Sequence, residues 1–196
     1  MGYIFVGLGN PGDEYKNSRH NTGRMVLEYL QSTGDFSQWK HNAKLNALVS
    51  KGIIGGKRVQ LIEPETMMNK SGSSLAGLMT GAKSAENMVV LYDDIDLPLG
   101  RVKISFGRSS GGHKGLSSII KKIKTKNFVR FRIGISPPLP KGGVKKPKGE
   151  SGVIDFILGD FSKKEKAQIN KIAKQVSEAA KAFVTKGVNN ARNSFS

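Results

Sequence analysis

Tyr3 to Leu8 is a short, β-rich apolar run that stops at the breaker cluster Gly9-Asn10-Pro11-Gly12, which predicts a buried strand leading into a loop. From Thr22 the apolar residues Met25, Val26, Tyr29 and Leu30 recur at helical spacing, and Gly34 supplies a stop. Leu45 to Ile54 and Lys57 to Ile62 are β-rich and joined by Gly55-Gly56, so they predict an antiparallel hairpin, closed by Pro64. Ser71 to Lys83 reads as helical despite its glycines, and Met88 to Tyr92 as a second buried strand ending at Asp93-Asp94-Ile95-Asp96. Carboxylates therefore cluster at a strand end. Val102 to Phe106 predicts a strand, Gly107 to Gly112 a flexible loop, and Leu116 to Ile123 a helix with Leu116, Ile119, Ile120 and Ile123 on its apolar face. Val129 to Ile135 alternates as a strand. The segment 137–149 is too rich in Pro, Gly and Lys to pack, which predicts a mobile loop. Ser162 and Glu165 have capping-box spacing, and Ile169, Ile172, Ala173, Val176, Ala180, Phe183 and Val184 form one stripe before Gly187, so the longest helix lies there.

Strands interleaved with helices over 196 residues predict one α/β domain with its own core, and no internal repeat is visible. There is no cysteine, which excludes disulfides and thiolate chemistry, and three histidines argue against a protein-built zinc site. Apolar runs fall far short of a membrane span, no basic region precedes the first of them, and Val6 stands where a myristoylation signal needs Ser or Thr. The expectation is a cytoplasmic protein without a membrane partner. Charge changes the picture more. The net charge is +17, and the stretch from Leu97 to Gly149 holds four arginines and ten lysines with no acidic residue. Such a one-signed stretch predicts a polyanionic partner, nucleic acid above all. Phe106, Phe128 and Phe131 fall in strands as core candidates, so the target is phosphate backbone more than stacked bases.

Two short patterns compete for the chemistry and both fail on context. Gly7-Leu8-Gly9-Asn10-Pro11-Gly12 matches G-x-G-x-x-G, yet a loop-like stretch follows it, and the first helix leads into an antiparallel hairpin where a dinucleotide fold needs a parallel strand. The turn instead sets Asn10 beside a cleft. Gly107-Arg108-Ser109-Ser110-Gly111 matches a nucleophile elbow, but the only later histidine, His113, is four residues on with no acid between, which argues against a serine nucleophile. A better set is His20 at a loop-to-helix junction and Asp93 at a strand terminus, as base and orienter. Asn10, Asn69 and His113 also fall at element ends, as neutral donors and acceptors for acyl transfer.

Six segments in order then carry a resemblance: Val6 to Tyr15 (V-G-L-G-N-P-G-D-E-Y), Arg19 to Gly23 (R-H-N-T-G), Met67 to Gly72 (M-M-N-K-S-G), Asp93 to Pro98 (D-D-I-D-L-P), Gly111 to Gly115 (G-G-H-K-G) and Arg130 to Ile135 (R-F-R-I-G-I). Asp155 to Ser162 continues it. Together these are similar to the bacterial-type peptidyl-tRNA hydrolases along nearly the whole chain. The resemblance implies a twisted mixed sheet between helices and cleavage of the ester joining a peptide to the 3′ ribose of tRNA, recycling tRNA from stalled translation. It implies His20 as general base, Asp93 as its acid partner and Asn10 near the scissile ester. Tyr15, Met68, Asn69, His113 and Lys114 become substrate contacts, with His113 a wall of the peptide channel, and Lys103 and Arg132 become grips on a tRNA phosphate. No metal or cofactor and a monomer are implied. Two positions depart from the common pattern: Lys114 stands where asparagine is usual, and Ser105 where many members carry a phosphate-clamping lysine. The rival reading is a non-catalytic RNA-binding protein on the same fold.

Overall fold

The computed structural model of the chain describes residues 2–78 and 82–195. In chain order its elements are β1 (Tyr3–Gly7), a 3-10 turn (Arg19–Asn21), α1 (Thr22–Thr33), β2 (Lys40–Asn42), β3 (Ala47–Ile54), β4 (Lys57–Pro64) and a 3-10 helix (Met68–Leu75). There follow α2 (Ala82–Ala85), β5 (Met88–Pro98), β6 (Val102–Phe106), α3 (Lys114–Ile123), β7 (Val129–Ser136), α4 (Gly149–Leu158), α5 (Lys163–Lys186) and α6 (Val188–Asn193). The seven strands make one mixed sheet in the order β2-β3-β4-β1-β5-β7-β6. Parallel pairing joins β4, β1, β5 and β7, while β3 runs antiparallel to β4 and β2, and β6 antiparallel to β7.

The central strands are apolar at nearly every position because both faces of the sheet are covered. Phe5, Leu61, Val89, Leu91 and Phe131 pack with Val26, Leu27 and the α5 stripe on one face. Val6, Ile62, Val90 and Tyr92 pack with Met68, Leu75, Leu116 and Ile119 on the other. The long helix follows its sequence signature closely. Ser162 Oγ accepts from the backbone N–H of Glu165 at 3.3 Å, and the Glu165 carboxylate accepts from the Ser162 N–H at 2.7 Å. The hairpin of β3 and β4 turns on Gly55 and Gly56, with φ of 54° and 75°, the left-handed pair such a two-residue turn requires.

Four expectations need correction. The segment 71–83 is not one helix: a 3-10 stretch ends at Leu75, Met79 to Gly81 lie outside the described residues, and α-helix reappears only at 82–85. Glycine supplies the physical reason, since Gly72 packs against the Ser118 carbonyl of α3 and Gly77 adopts φ of 78°. The second buried strand does not stop before its acids. It runs through them to Pro98, with a register shift between Asp94 and Pro98. Strand β4 likewise continues through Pro64. Gly149, assigned to the loop from composition, opens α4, a helix with no buried residue and hence no stripe to announce it. Residues 137–148 before it carry no helix or strand beyond a bridge between Pro138 and Val144, and Lys146 ties them to Asp96 by an ion pair of 2.5 Å.

The ends of β1, β4, β5 and β7 share one edge of the sheet, and the chain leaves β1 toward β4 on one side and reaches β5 on the other. Open α/β sheets place their crevices at such a divide, outside the carboxyl ends of the strands. Close backbone contact fixes the helix beside it: a Cβ on Gly23 would strike the Leu91 carbonyl and come within 2.6 Å of the Leu8 nitrogen. No helix among the described residues is long and apolar enough to cross a membrane. Gly23→Ala should lower stability by more than about 2 kcal/mol, because backbone on both sides must move. Gly56→Ala, with open space around it, should cost about 1 kcal/mol through φ alone. Urea midpoints that rank the two variants the other way would contradict this packing.

Candidate active site

A cleft of about 1400 Å³ opens at the carboxyl edge of the parallel strands, and its wall includes Asn10, His20, Met68, Asn69, Asp93 and His113. Each comes from a strand end or helix start. Asn10 follows β1, Met68 and Asn69 follow β4, Asp93 lies at the end of the parallel part of β5, and the two histidines precede α1 and α3. Asp93, only 3% exposed, is the hub: His20 Nδ1 lies 2.9 and 3.0 Å from its two carboxylate oxygens, and His113 Nε2 lies 3.1 Å from Oδ1. The two imidazole centroids are 5.1 Å apart.

Hydrogen bonding assigns the protons. His113 caps α3, its Nδ1 accepting from the Leu116 N–H at 3.3 Å, so the ring proton sits on Nε2 and is donated to Asp93. His20 donates from Nδ1 to the same carboxylate, which leaves its Nε2 with a free lone pair. This is the tautomer of a general base held by an acid. Burial opposes a charge on His20, but the Asp93 charge and hydrogen bond outweigh it and raise the imidazole above its ordinary value. For Asp93 burial acts upward, and the two histidines outweigh it, holding the carboxyl well below the usual carboxylate range.

His20, Asp93 and His113 also offer three donor atoms within 4.8 Å of one another, enough in number to hold a metal ion. The cap argues against that use. A neutral His113 ligating through Nε2 must carry its proton on Nδ1, where it would face the Leu116 N–H, donor against donor.

Asn10 is buried and fully engaged on one side. Its Oδ1 accepts from the Met68 N–H at 2.7 Å, and its amide nitrogen stays available to a ligand. Asn21, which the sequence reading passed over, holds the Asn10 backbone from both ends: its Oδ1 accepts from the Asn10 N–H at 2.8 Å, and its Nδ2 donates to the Asn10 carbonyl at 2.9 Å. Beneath this turn Arg24 packs against Gly9 and pairs with Glu65 at 2.6 Å and Glu63 at 3.3 Å. Only adjacency to His20 in the R-H-N-T-G segment hinted at Asn21.

The basic stretch forms one wall of the same cleft through Lys103, Arg108, Lys114 and Arg132. Lys103 and Arg132 are direct cross-strand partners on β6 and β7. No local pattern announces that Arg132 Nε donates to Asp94 Oδ2 at 2.6 Å, a contact that leaves the terminal guanidinium nitrogens available. Ser105 is buried opposite Arg130, with its hydroxyl unpaired among the described residues. Tyr15 does not join this set: it lies half-buried in the loop after β1, outside the residues that line the cleft.

An imidazole held on a buried carboxylate, with amide groups beside it and a cationic wall, defines the class: an α/β protein with the layout of a hydrolytic site. The family model described as peptidyl-tRNA hydrolase matches residues 4–196. Peptidyl-tRNA hydrolase of Listeria monocytogenes is 40% identical over 181 residues, covering 92% of this chain and 91% of the relative. That of Aquifex aeolicus is 42% identical over 177 residues, covering 88% and 84%. The crystal structure of peptidyl-tRNA hydrolase from Acinetobacter baumannii superposes with a TM-score of 0.87 at 29% identity, covering 99% of this chain and 94% of that one. The chain belongs to the peptidyl-tRNA hydrolase family.

Asp93→Asn removes the group that raises His20 and leaves burial unopposed, so the His20 pKa should fall from above 6.5 to below it. Titration of the His20 ring protons by NMR checks the sign, and a value that stays above 6.5 in the variant would refute the Asp93 assignment.

Proposed function

We propose that this chain hydrolyses the ester between a peptide and the 3′ ribose of tRNA, with His20 as the base that activates water. One observation carries the reading: a buried His20 whose Nδ1 is fixed on Asp93 and whose Nε2 is free, in a cleft walled by Lys103, Arg108 and Arg132. His20 Nε2 takes a proton from water as its oxygen attacks the ester carbonyl, and Asp93 steadies the imidazolium. The tetrahedral oxyanion needs a donor, and the free amide nitrogen of Asn10 is suited to it because the Met68 N–H holds the other end of that amide. Collapse breaks the bond to the ribose oxygen, which leaves with the proton from His20. The products are a free peptide and a tRNA with its 3′ hydroxyl restored, ready for recharging after translation stalls. No covalent intermediate or metal is required, since an ester needs only a positioned nucleophile and a stabilised oxyanion.

Peptides share a main chain but not side chains. The amide of Asn69 donates and accepts at once and suits that common feature, with Met68 and His113 as flanking surface. Lys103 and the free end of the Arg132 guanidinium suit phosphate oxygens, the latter in a two-nitrogen grip. Tyr15 has no part in this scheme as drawn.

His20→Ala should reduce turnover of N-acetyl-aminoacyl-tRNA by about 10²- to 10⁴-fold and leave tRNA affinity nearly intact, since a base supplies proton transfer and little binding. Undiminished turnover would remove His20 from the role. The neutral form is the active one, so kcat/KM should rise with pH to a plateau whose half-point lies above 6.5, as the raised His20 value requires. Lys103→Ala should weaken tRNA binding and reduce its log-log salt slope by about 1. Tight, salt-sensitive tRNA binding with no release from the blocked substrate would replace this reading by that of an RNA-binding protein.

A further inference from the structure

Lys114 is the first residue of α3, directly after His113, and it lines the cleft beside the base. Its position is locally unfavourable. The amino end of a helix carries partial positive charge that favours acids, yet the first turn of α3 has no acidic residue and adds an ammonium to that charge. Among the described residues the Lys114 ammonium makes no hydrogen bond or ion pair, and the three carboxylates at the end of β5 are already engaged: Asp93 by two imidazoles, Asp94 by Arg132 and Asp96 by Lys146. Glu150, the remaining acid on the cleft wall, does not pair with it either. The Lys114 charge nevertheless reaches the site, because it acts on His20 against the pull of Asp93. An exposed cation close to the base, with no partner of its own, acts on whatever charge the bound acyl group brings near it.

We infer that Lys114 is a specificity-determining residue that reads the charge of the peptide, favouring an acidic side chain next to the ester-bearing residue and disfavouring a basic one. The inference rests on the hydrolase reading above. With the ester carbonyl at His20 Nε2 and the peptide main chain on Asn69, the acyl group extends along the wall that His113 and Lys114 form. Lys103 lies on β6, Arg108 on the loop between β6 and α3, and Arg132 on β7. Lys114 differs from them in adjoining His113, which itself touches Asp93. A charge within several ångströms in a partly solvated cleft alters binding severalfold, and salt weakens the effect.

The test uses the full-length protein and three substrates on one tRNA, N-acetyl-Xaa-Phe-tRNA with Xaa as Glu, Gln or Lys, so that every RNA contact is constant. The expected order of kcat/KM is Glu above Gln above Lys, with the extremes differing on the order of tenfold at low ionic strength and converging as salt rises. Lys114→Asn should bring the ratio of Glu to Lys substrates close to one, and Lys114→Arg should preserve it. Equal rates on the three substrates in the unmodified protein would overturn the inference without any variant. So would an unchanged ratio in Lys114→Asn, or a uniform loss on all three, which would mark Lys114 as a phosphate contact. No release from any substrate would overturn the hydrolase reading, and this one with it.

Discussion

The Asp93 carboxylate accepts from two imidazoles in a place where water scarcely reaches, and most of the surrounding architecture serves that arrangement. A buried carboxylate is costly unless its oxygens are paired, so both histidines must arrive with donor nitrogens facing it. His20 arrives because α1 begins hard against the ends of β1 and β5, an approach that only Gly7 and Gly23 permit: a Cβ on Gly7 would lie 2.7 Å from the Gly23 carbonyl. His113 arrives because it caps α3, and the cap also decides which of its nitrogens carries the proton. The two helices lie on opposite faces of the sheet, with α1 packed in the Phe5 and Leu91 core and α3 in the Val90 and Tyr92 core. Asp93 is thus the point where the two halves of the core meet the solvent edge.

Asn10 depends on the same packing at one remove. The Asn21 side chain bonds both polar groups of its backbone, and Asn21 opens α1 immediately after His20. One helix start therefore sets His20 and the Asn10 amide together. Arg24, one turn further on, fills the space under Gly9 and is neutralised by Glu65, beside a Glu63 that burial pushes up to about 8. Burial is the largest cause of that rise, and the Arg24 charge acts against it.

Legibility followed burial. Strands β1 and β3 to β7 and the helices α1, α3 and α5 were readable because each buries a face at its own period, and α5 also carried a complete capping box. Strand β2 left no trace, since all three of its residues are exposed on a sheet edge, and α4 none, since it has no fully buried residue and only Phe156 and Ile157 rest partly buried against the core. The region after Met68 misled because its glycines answer a neighbour: Gly72 donates to Ser118 Oγ and lets α3 approach, a tertiary demand that overrides local helical spacing. At the site, Asn10, His20, Asn69, Asp93 and His113 were visible as polar residues at element ends, which the carboxyl edge of a parallel sheet then gathers. Asn21 and Asp94 were not, because each acts on another site residue across sequence distances of 11 and 38 that no local pattern encodes. Tyr15 came from the resemblance alone, and the geometry gives it no contact with the cleft.

The charges of the cleft pull against one another in a way that suits a base. Burial favours the neutral His20 ring, the Asp93 charge and hydrogen bond favour the protonated one and prevail, and the Lys114 ammonium acts in the same direction as burial. The balance leaves His20 raised above its ordinary value, a shift that strengthens an imidazole as a proton acceptor. Lys114, the cation that moderates it, lines the same cleft as Lys103, Arg108 and Arg132, so the charge that acts on His20 lies beside the charges able to attract a polyanion. A carboxylate in the acid-free stretch from Leu97 to Gly149, which supplies one wall of the cleft, would repel a polyanion and, placed as Lys114 is, would push His20 further toward its protonated form.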